Sequence, residues 1–344
     1  MTEEQIKKIV EESLLKADYE FEYPPVCLEI AGQYGSQIFA TLGNFSTFLA
    51  PPKVGKTTCI SIIVSSFLTG KQLSNFIPIL PHDKRVIVWA DTEQGKPECV
   101  KTIQSISFQT SGNKKVHPED LKFLSLRKYG KAVRLDAIAY LISNTPNIGI
   151  LVIDGVRDLV SSINDEKEAT AIADMLLKWS QELNIHIMCI LHENKGDKNA
   201  RGHVGTELMN KAETVVTLSR GDNNGTRTTI VESKFARHKE FDSFAFTIED
   251  GKVLQSEIKQ DYEPKNPKVE HLSHSQLESV VESCFSEVSF LPYGKLWQQI
   301  KKALSHIEIE YGDNKCKQLL SRLVKDKYIL YNDDLKHYSA NIPV

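Results

Sequence analysis

Apolar runs alternate with amphipathic segments over the middle of the chain, from about residue 45 to residue 250. Near-continuous apolar runs of about four to eight residues are typical of strands buried on both faces, and a 3.6-residue period is typical of helices. The predicted strands are 46–50, 84–91, 121–126, 148–154, 185–191 and 212–218, and the predicted helices are 56–69, 94–109, 132–144 and 166–183. This order predicts an α/β fold with a mainly parallel sheet covered by helices on both faces.

The segments on either side of this region follow other patterns. Antiparallel strands are predicted around the Asp250-Gly251 turn, and three helices followed by two short strands near the end predict a small domain like a winged helix-turn-helix. The predicted boundaries are 1–40 for a helix and extended arm, 41–255 for the α/β domain, 256–270 for a polar linker and 271–344 for the winged-helix-like domain.

Composition adds limits on the partners. The 344-residue chain has a net charge of −3, so a DNA partner requires local rather than overall positive charge. The six cysteines are scattered without a CxxC pair, which favours neither zinc nor disulfides and fits a reducing cytoplasm. No apolar run approaches the roughly 20 residues that span a bilayer, so we expect a cytoplasmic protein with no membrane contact.

The stretch APPKVGKTT at residues 50–58 predicts a phosphate-binding loop between a strand and a helix. Gly55 lets the backbone approach the phosphates, Lys56 neutralises their charge, and Thr57 ligates Mg²⁺. Alanine stands where the loop usually begins with glycine, and two prolines remove N–H donors. The predicted nucleotide-binding residues are Ala50, Pro51, Pro52, Lys53, Val54, Gly55, Lys56, Thr57 and Thr58.

Further polar residues follow the ends of neighbouring predicted strands. Asp154 ends the apolar run IGILVID and is the second predicted magnesium ligand. Asp91 and Glu93 end another strand, where one carboxylate is placed to activate water. His192 ends a third strand and is placed to contact the γ-phosphate. Each residue also has a plainer interpretation. Asp154 could simply end a strand at a turn, Asp91 and Glu93 could lie in a solvated acidic loop, and His192 could be an ordinary surface histidine.

Basic residues at several places are candidates for nucleic-acid or nucleotide contacts. A polar loop after residue 192 is a candidate for single-stranded DNA, and the last predicted helix is a candidate for duplex DNA or for protein docking. Arg220 ends a strand, where it is either a residue that reaches the nucleotide of a neighbouring subunit or a surface ion pair. The candidate DNA contacts are Lys195, Lys198, Arg201 and His203 in the loop and Lys315, Lys317 and Arg322 in the helix.

Together these motifs resemble the RecA-type hexameric helicase group, in particular the RepA-like and DnaB-like ATPases of plasmids and mobile elements, over about residues 40–250. The resemblance implies that Glu93 is the catalytic base, that Asp154 and His192 complete the ATP site, and that Arg220 acts in a neighbouring subunit. The leading alanine and the PPKV segment depart from the group. The absence of a large N-terminal domain favours the RepA-like branch.

Two functions follow as expectations. The first is a homo-oligomeric DNA motor, a hexamer by the resemblance, that uses Mg²⁺ and ATP, with catalytic residues Lys56, Glu93, Asp154, His192 and Arg220. The second is a DNA-binding regulator or adaptor of a mobile element that uses ATP to switch its assembly state without unwinding DNA. Stimulation of ATP hydrolysis by single-stranded DNA distinguishes the two.

Overall fold

A computed structural model describes residues 1–193, 200–223, 225–258, 269–286, 288–307 and 309–341. The chain forms two compact units, Met1–Lys259 and Gln260–Val344. Helices of the first unit are α1 (Glu3–Ser13), α2 (Lys56–Thr69), α3 (Lys96–Ser111), α4 (Lys131–Asn144), α5 (Glu166–Leu183) and α6 (Gly202–Lys211). Its strands are β1 (Val26–Gly32), β2 (Gly35–Thr41), β3 (Phe45–Ala50), β4 (Phe76–Pro78), β5 (Val86–Asp91), β6 (Leu121–Ser125), β7 (Ile148–Asp154), β8 (His186–His192), β9 (Thr214–Asn223), β10 (Thr226–Ala236), β11 (Phe244–Glu249) and β12 (Lys252–Ser256).

The central sheet has nine strands in the order β12-β11-β10-β9-β3-β8-β7-β5-β6. The pairs from β9 through β3 to β6 are parallel, and the pairs from β9 to β12 are antiparallel. This arrangement confirms the predicted α/β fold with a mainly parallel sheet. The strand that carries Asp154 is separated from the P-loop strand by β8 alone. The residues predicted to bind and hydrolyse the nucleotide on β5, β7 and β8 therefore lie at the same edge of the sheet as the P-loop.

Two apolar clusters cover the faces of the sheet. In β7, where every residue is buried, Ile150 and Val152 pack with α2 and α3 on one face. Leu151 and Ile153 pack with α4, α5 and α6 on the other face. Successive side chains of a strand point to opposite faces, so an uninterrupted apolar run is what a doubly covered strand requires.

The N-terminal region differs from the predicted extended arm. Strands β1 and β2 pair antiparallel, and β4 adds to β1 to complete a small separate sheet. Cys27, Leu28 and Phe39 are fully buried in the core. The arm folds because tertiary burial orders it, which the short alternation in its sequence did not disclose. No helix within the described residues is long and apolar enough to cross a membrane.

Within its described residues, the second unit contains three α-helices followed by a hairpin, in the order that the sequence predicts. They are α7 (His274–Phe285), α8 (Tyr293–His306), α9 (Asp313–Lys325), β13 (Ile329–Asn332) and β14 (His337–Ala340). Their inward faces form one apolar core, and α7 begins with a capping box at Ser273 and Gln276. The winged helix-turn-helix assignment stays a prediction.

Candidate active site

The carboxyl ends of β3, β5, β7 and β8 bring together the residues predicted for phosphate binding and hydrolysis. Asp91 lies beside Asp154 in the register of β5 and β7, and Ala50 lies beside His192 in that of β3 and β8. Parallel strands end at the same edge of a sheet, so residues far apart in sequence share one site. The sequence analysis predicted that Asp154, one of the acids that end β5 and His192 lie near the nucleotide bound by the P-loop.

The P-loop takes an unusual backbone path between β3 and α2. Lys53 and Gly55 have φ angles of 66° and 100°, both in the left-handed region, and α2 begins directly after Gly55. Glycine adopts such angles freely, whereas a lysine there is strained by about 1–2 kcal/mol. The loop therefore ends at the N-terminus of a helix, where N–H groups and the helix dipole favour a phosphate.

Lys56 points across the loop toward the end of β8. Its Nζ donates to the carbonyl oxygens of Ala50 (3.3 Å) and Pro51 (3.4 Å) and lies 2.9 Å from His192 Nδ1. Burial lowers the pKa of Lys56, and the nearby carboxylates of Glu93 and Asp154 oppose this shift. The ammonium is thus held at the point where the loop closes, within reach of a phosphate bound by the same loop.

Thr57 and Asp154 form the predicted magnesium pair. Thr57 Oγ1 donates to Asp154 Oδ2 at 3.2 Å. Burial, followed by the charges of Asp91 and Glu93, raises the pKa of Asp154 to about 7. A cation at this carboxylate would reverse that shift, and a hydroxyl plus a carboxylate is a donor set that suits Mg²⁺.

The same pair cannot hold a metal ion without further ligands. Across the described part of the chain, no group of three or more His, Cys, Asp or Glu side chains is arranged to bind a metal. Mg²⁺ is commonly held by one or two protein ligands together with waters and substrate phosphates. The residues present fit a magnesium ion that arrives with a nucleotide.

The two acids that end β5 have different environments. Asp91 is fully buried, and its Oδ1 accepts hydrogen bonds from the backbone N–H groups of Glu93 (3.1 Å) and Gln94 (2.7 Å). Burial raises the pKa of Asp91. Glu93 is about a third exposed and faces His192. Asp91 therefore shapes the turn, and Glu93 is the carboxylate that faces the open site.

His192 connects the lysine with this glutamate. Because an ammonium group only donates, Nδ1 of His192 accepts from Lys56, and the proton of the neutral ring lies on Nε2. Nε2 then donates to Glu93 Oε1 at 3.2 Å and Oε2 at 3.3 Å. This hydrogen bond is the largest cause that lowers the pKa of Glu93.

Two site residues were missed by sequence reasoning. Gln94 Nε2 donates to Thr57 Oγ1 (3.3 Å) and lies 3.5 Å from Asp154 Oδ2, so its amide touches the magnesium pair. Arg157, in the turn after β7, contributes a positive charge that helps to lower the pKa of Glu93. Gln94 directly follows Glu93, and this adjacency was the available signal.

The basic residues proposed for single-stranded DNA are only partly described. Lys195 and Lys198 lie outside the described residues. Arg201 and His203 are exposed at the start of α6, which occupies 202–211 where the sequence predicted a continuous loop to residue 206. Their place at the start of a helix fixes their spacing on the surface. It does not identify a ligand for either residue.

Arg220 is exposed on β9, and no hydrogen bond or ion pair of its side chain occurs within the described ranges. In the register of β9 and β10 it lies directly opposite Thr229. Directly opposed residues of an antiparallel pair share a face of the sheet. Arg220 thus shares its face with Thr229, which contacts the P-loop.

The basic residues of α9 differ from one another. Lys315 and Lys317 are exposed, with their Nζ atoms 5.0 Å and 5.3 Å from the ring centroids of Tyr311 and Trp297. Arg322 instead donates to the carbonyl of Val269 and pairs with Asp326 at 3.1 Å, so its guanidinium serves internal contacts. The structure leaves the two lysines available to a ligand and gives Arg322 a stabilising role within the unit, unlike the prediction.

Comparison with known proteins gives one family match and several distant structural likenesses. A family model described as AAA domain matches residues 37–198. A KaiC-like protein from the hyperthermophilic archaeon Pyrococcus horikoshii OT3 is 15% identical, with a TM-score of 0.43 over 63% of this chain and 91% of that chain. The RadB recombinase is 16% identical, with a TM-score of 0.44 over 63% of this chain and 92% of that chain. No curated protein matches significantly.

The family match spans the P-loop, the acids Asp91, Glu93 and Asp154, and His192. Together with the path of the P-loop from β3 into α2, it supports a P-loop nucleotide-binding domain.

Proposed function

We propose that this chain is an oligomeric, Mg²⁺- and ATP-dependent motor that acts on DNA, of the RepA-like helicase type. The observation that carries the proposal is the hydrogen-bonded series Lys56–His192–Glu93 beside the P-loop, with distances of 2.9 Å and 3.2 Å. ATP hydrolysis needs a lysine that binds phosphate and a carboxylate that is open to water. Here a polar side chain, that of His192, contacts both of them.

Each residue has a distinct role in this proposal. Lys56 binds the β- and γ-phosphates, and Glu93 accepts the proton of the attacking water. Thr57 and Asp154 hold the magnesium ion, which supplies charge neutralisation on the phosphates when bound. His192 contacts the γ-phosphate and, by leaving Glu93, frees that carboxylate to act as a base.

Arg220 is proposed to act on the nucleotide of a neighbouring subunit. Its exposure and its place on β9, past the last residue that pairs with β3, support this role. An arginine there would stabilise negative charge that develops on the transferring phosphoryl group. The homo-oligomer, which the resemblance suggests is a hexamer, is part of the proposal for this reason.

The main alternative is a regulator or adaptor that uses ATP to switch its assembly state. The exposed Lys315 and Lys317 on α9 favour it, because that helix precedes a hairpin and can meet a DNA duplex. In the motor, DNA contact comes from the region that includes Arg201 and His203. The mobile-element setting belongs to both proposals.

The test is the rate of ATP hydrolysis with no DNA, with single-stranded DNA and with duplex DNA. Mass in solution with a non-hydrolysed ATP analogue is measured in parallel. A motor is expected to be strongly stimulated by single-stranded DNA and to assemble with the analogue. Slow turnover that DNA does not change would favour the regulator, and no hydrolysis under any condition would contradict both.

A further inference from the structure

The P-loop is held from one side by the hairpin of β9 and β10. Thr229 Oγ1 donates to the carbonyl oxygen of Val54 at 3.2 Å. The guanidinium of Arg227 donates to the carbonyl oxygen of Lys53. Two consecutive carbonyl groups of the loop therefore point toward the same strand, although β10 lies more than 170 residues further along the chain.

These two contacts determine where the loop's N–H groups point. In a planar trans peptide, the C=O of one residue and the N–H of the next point in opposite directions. Holding the carbonyls of Lys53 and Val54 against the hairpin turns the N–H groups of Val54 and Gly55 away from it. Neither N–H group has a hydrogen-bond partner among the described residues. Both are thus directed to the side of the loop that is open to a phosphate.

The sequence of this loop explains why it needs such support. Pro51 and Pro52 donate no N–H group, so the following residues supply the phosphate contacts. Lys53 holds a left-handed φ of 66°, a conformation that persists where surrounding contacts over-determine it. In a loop with more glycines, the backbone would reach these angles without strain.

Gly55 shows how closely the hairpin approaches. A Cβ atom at this position would lie 2.7 Å from Thr229 Oγ1. Thr229 is itself buried, and Thr247 Oγ1 donates to the carbonyl oxygen of Arg227 at 3.0 Å, which ties β10 to β11. The strand that contacts the loop is therefore fixed within the sheet and does not simply follow the loop.

We infer that Arg227 and Thr229 are positioning residues that set the phosphate-binding N–H groups of Val54 and Gly55. This inference rests on the proposed nucleotide site. The contacts with bound phosphate are the same before and during hydrolysis, so loss of the hairpin contacts raises KM for ATP with little change in kcat. A purely structural role would instead lower the free energy of unfolding, and it would not raise KM while leaving kcat unchanged.

The experiment titrates Mg²⁺-ADP into the full-length chain and its variants by calorimetry. Thr229→Val keeps the β-branched shape and removes the hydroxyl, and Arg227→Gln removes the guanidinium. Each variant is expected to raise Kd about 5- to 10-fold, the effect of one misplaced hydrogen bond. Thr229→Ser and Arg227→Lys keep a donor and are expected to recover most of the affinity.

Thr226→Val is the matched control, since it removes a hydroxyl from the same strand on the opposite face. It is expected to leave Kd unchanged. Thermal unfolding without nucleotide checks that every variant is folded. Wild-type affinity in folded Thr229→Val and Arg227→Gln, and in the variant that combines them, would overturn the inference. If the wild-type chain itself binds no Mg²⁺-ADP, the proposed function fails instead.

Discussion

The two ends of the central sheet both carry buried ionisable residues, but these residues are satisfied in different ways. At the amino end, buried Glu213 accepts hydrogen bonds from Thr41 N (2.9 Å), from Thr41 Oγ1 (2.7 Å) and from His238 Nε2 (3.2 Å). Buried His186 contacts the carbonyl of Thr41 (2.8 Å) and the hydroxyl of Ser46 (3.0 Å). This network is complete without a ligand.

The carboxyl end leaves charge uncompensated. One carboxylate oxygen of Asp91 is buried and has no hydrogen-bond partner among the described residues. Burial raises the pKa of Asp154 and lowers that of Lys56, so both lie in surroundings that disfavour their charged forms. Buried polar residues occur at both ends of the sheet, so they do not by themselves identify a binding site. Buried groups whose charge only a ligand can neutralise identify one better.

The largest effect is expected from Glu93→Gln at the carboxyl end. The amide keeps the shape of the side chain but cannot accept a proton, so hydrolysis should fall about 10²–10⁴-fold while ATP still binds. Single-turnover hydrolysis and nucleotide titration measure the two quantities separately.

Asp91→Asn is the matched control for this change. Its amide oxygen can still accept the N–H groups of Glu93 and Gln94, so the turn should persist and hydrolysis should change far less. The assignment of the base is wrong if Asp91→Asn stops hydrolysis and Glu93→Gln does not.

Asp154→Asn tests the uncompensated charge itself. The pKa of Asp154 rises from 3.8 to about 7 on folding, so between these values the folded state holds a proton that the unfolded state has lost. Without Mg²⁺, this group lowers the free energy of unfolding as pH rises from about 4 to 7, by at most about 1.4 kcal/mol per pH unit.

The measurement is urea unfolding of both proteins at pH 5 and pH 8. The Asp154→Asn protein cannot titrate at this position. From pH 5 to pH 8, its free energy of unfolding should therefore rise relative to that of the wild type. A difference between the two proteins that stays constant with pH would show that Asp154 is ionised throughout.

Glu213→Gln tests the amino end, where we expect lost stability without lost chemistry. The amide nitrogen cannot accept the hydrogen bonds that the carboxylate takes from Thr41 and His238. The free energy of unfolding should fall by about 1–3 kcal/mol, with unchanged ATP turnover per folded molecule. If the Glu213→Gln protein is as stable as wild type but hydrolyses ATP more slowly, the two ends do not differ in the way described.

The smallest effect is expected from His192→Gln. The oxygen and nitrogen of the amide can replace Nδ1 and Nε2, which contact Lys56 and Glu93. Turnover should stay within about tenfold of wild type, whereas His192→Ala, which loses both contacts, should fall further. Equal losses in steady-state assays of the two variants would mean that the ring itself is required.

The sequence predicts the parts of this molecule in which local pattern and tertiary environment agree. The apolar runs that became β5 and β7 are buried on both faces, so their pattern identified the parallel sheet and the position of Asp154. The choice of Glu93 over Asp91 came from the resemblance, because burial of Asp91 is a tertiary property that spacing does not contain.

Other features depend on contacts between distant segments. Thr229 and Arg227 contact the P-loop because the pairing of β10 within the sheet places them beside it. No local pattern in β10 indicates these contacts. Arg322 lies off the apolar stripe of α9 and so resembled a free cation, yet the carbonyl of Val269 accepts its hydrogen bond. Helical periodicity identifies which residues are not in the core, and it does not reveal the partners of a long side chain.

Binding of Mg²⁺-ATP analogue to wild type, Lys56→Ala and Lys71→Ala tests most directly whether the carboxyl end of the sheet is a nucleotide site. Lys56 is the lysine of the P-loop, and Lys71 is an exposed lysine just beyond the other end of α2. We predict that wild type and Lys71→Ala bind alike and that Lys56→Ala loses binding, because the loop loses its phosphate-neutralising side chain. Binding by folded Lys56→Ala as tight as that of wild type would contradict the account.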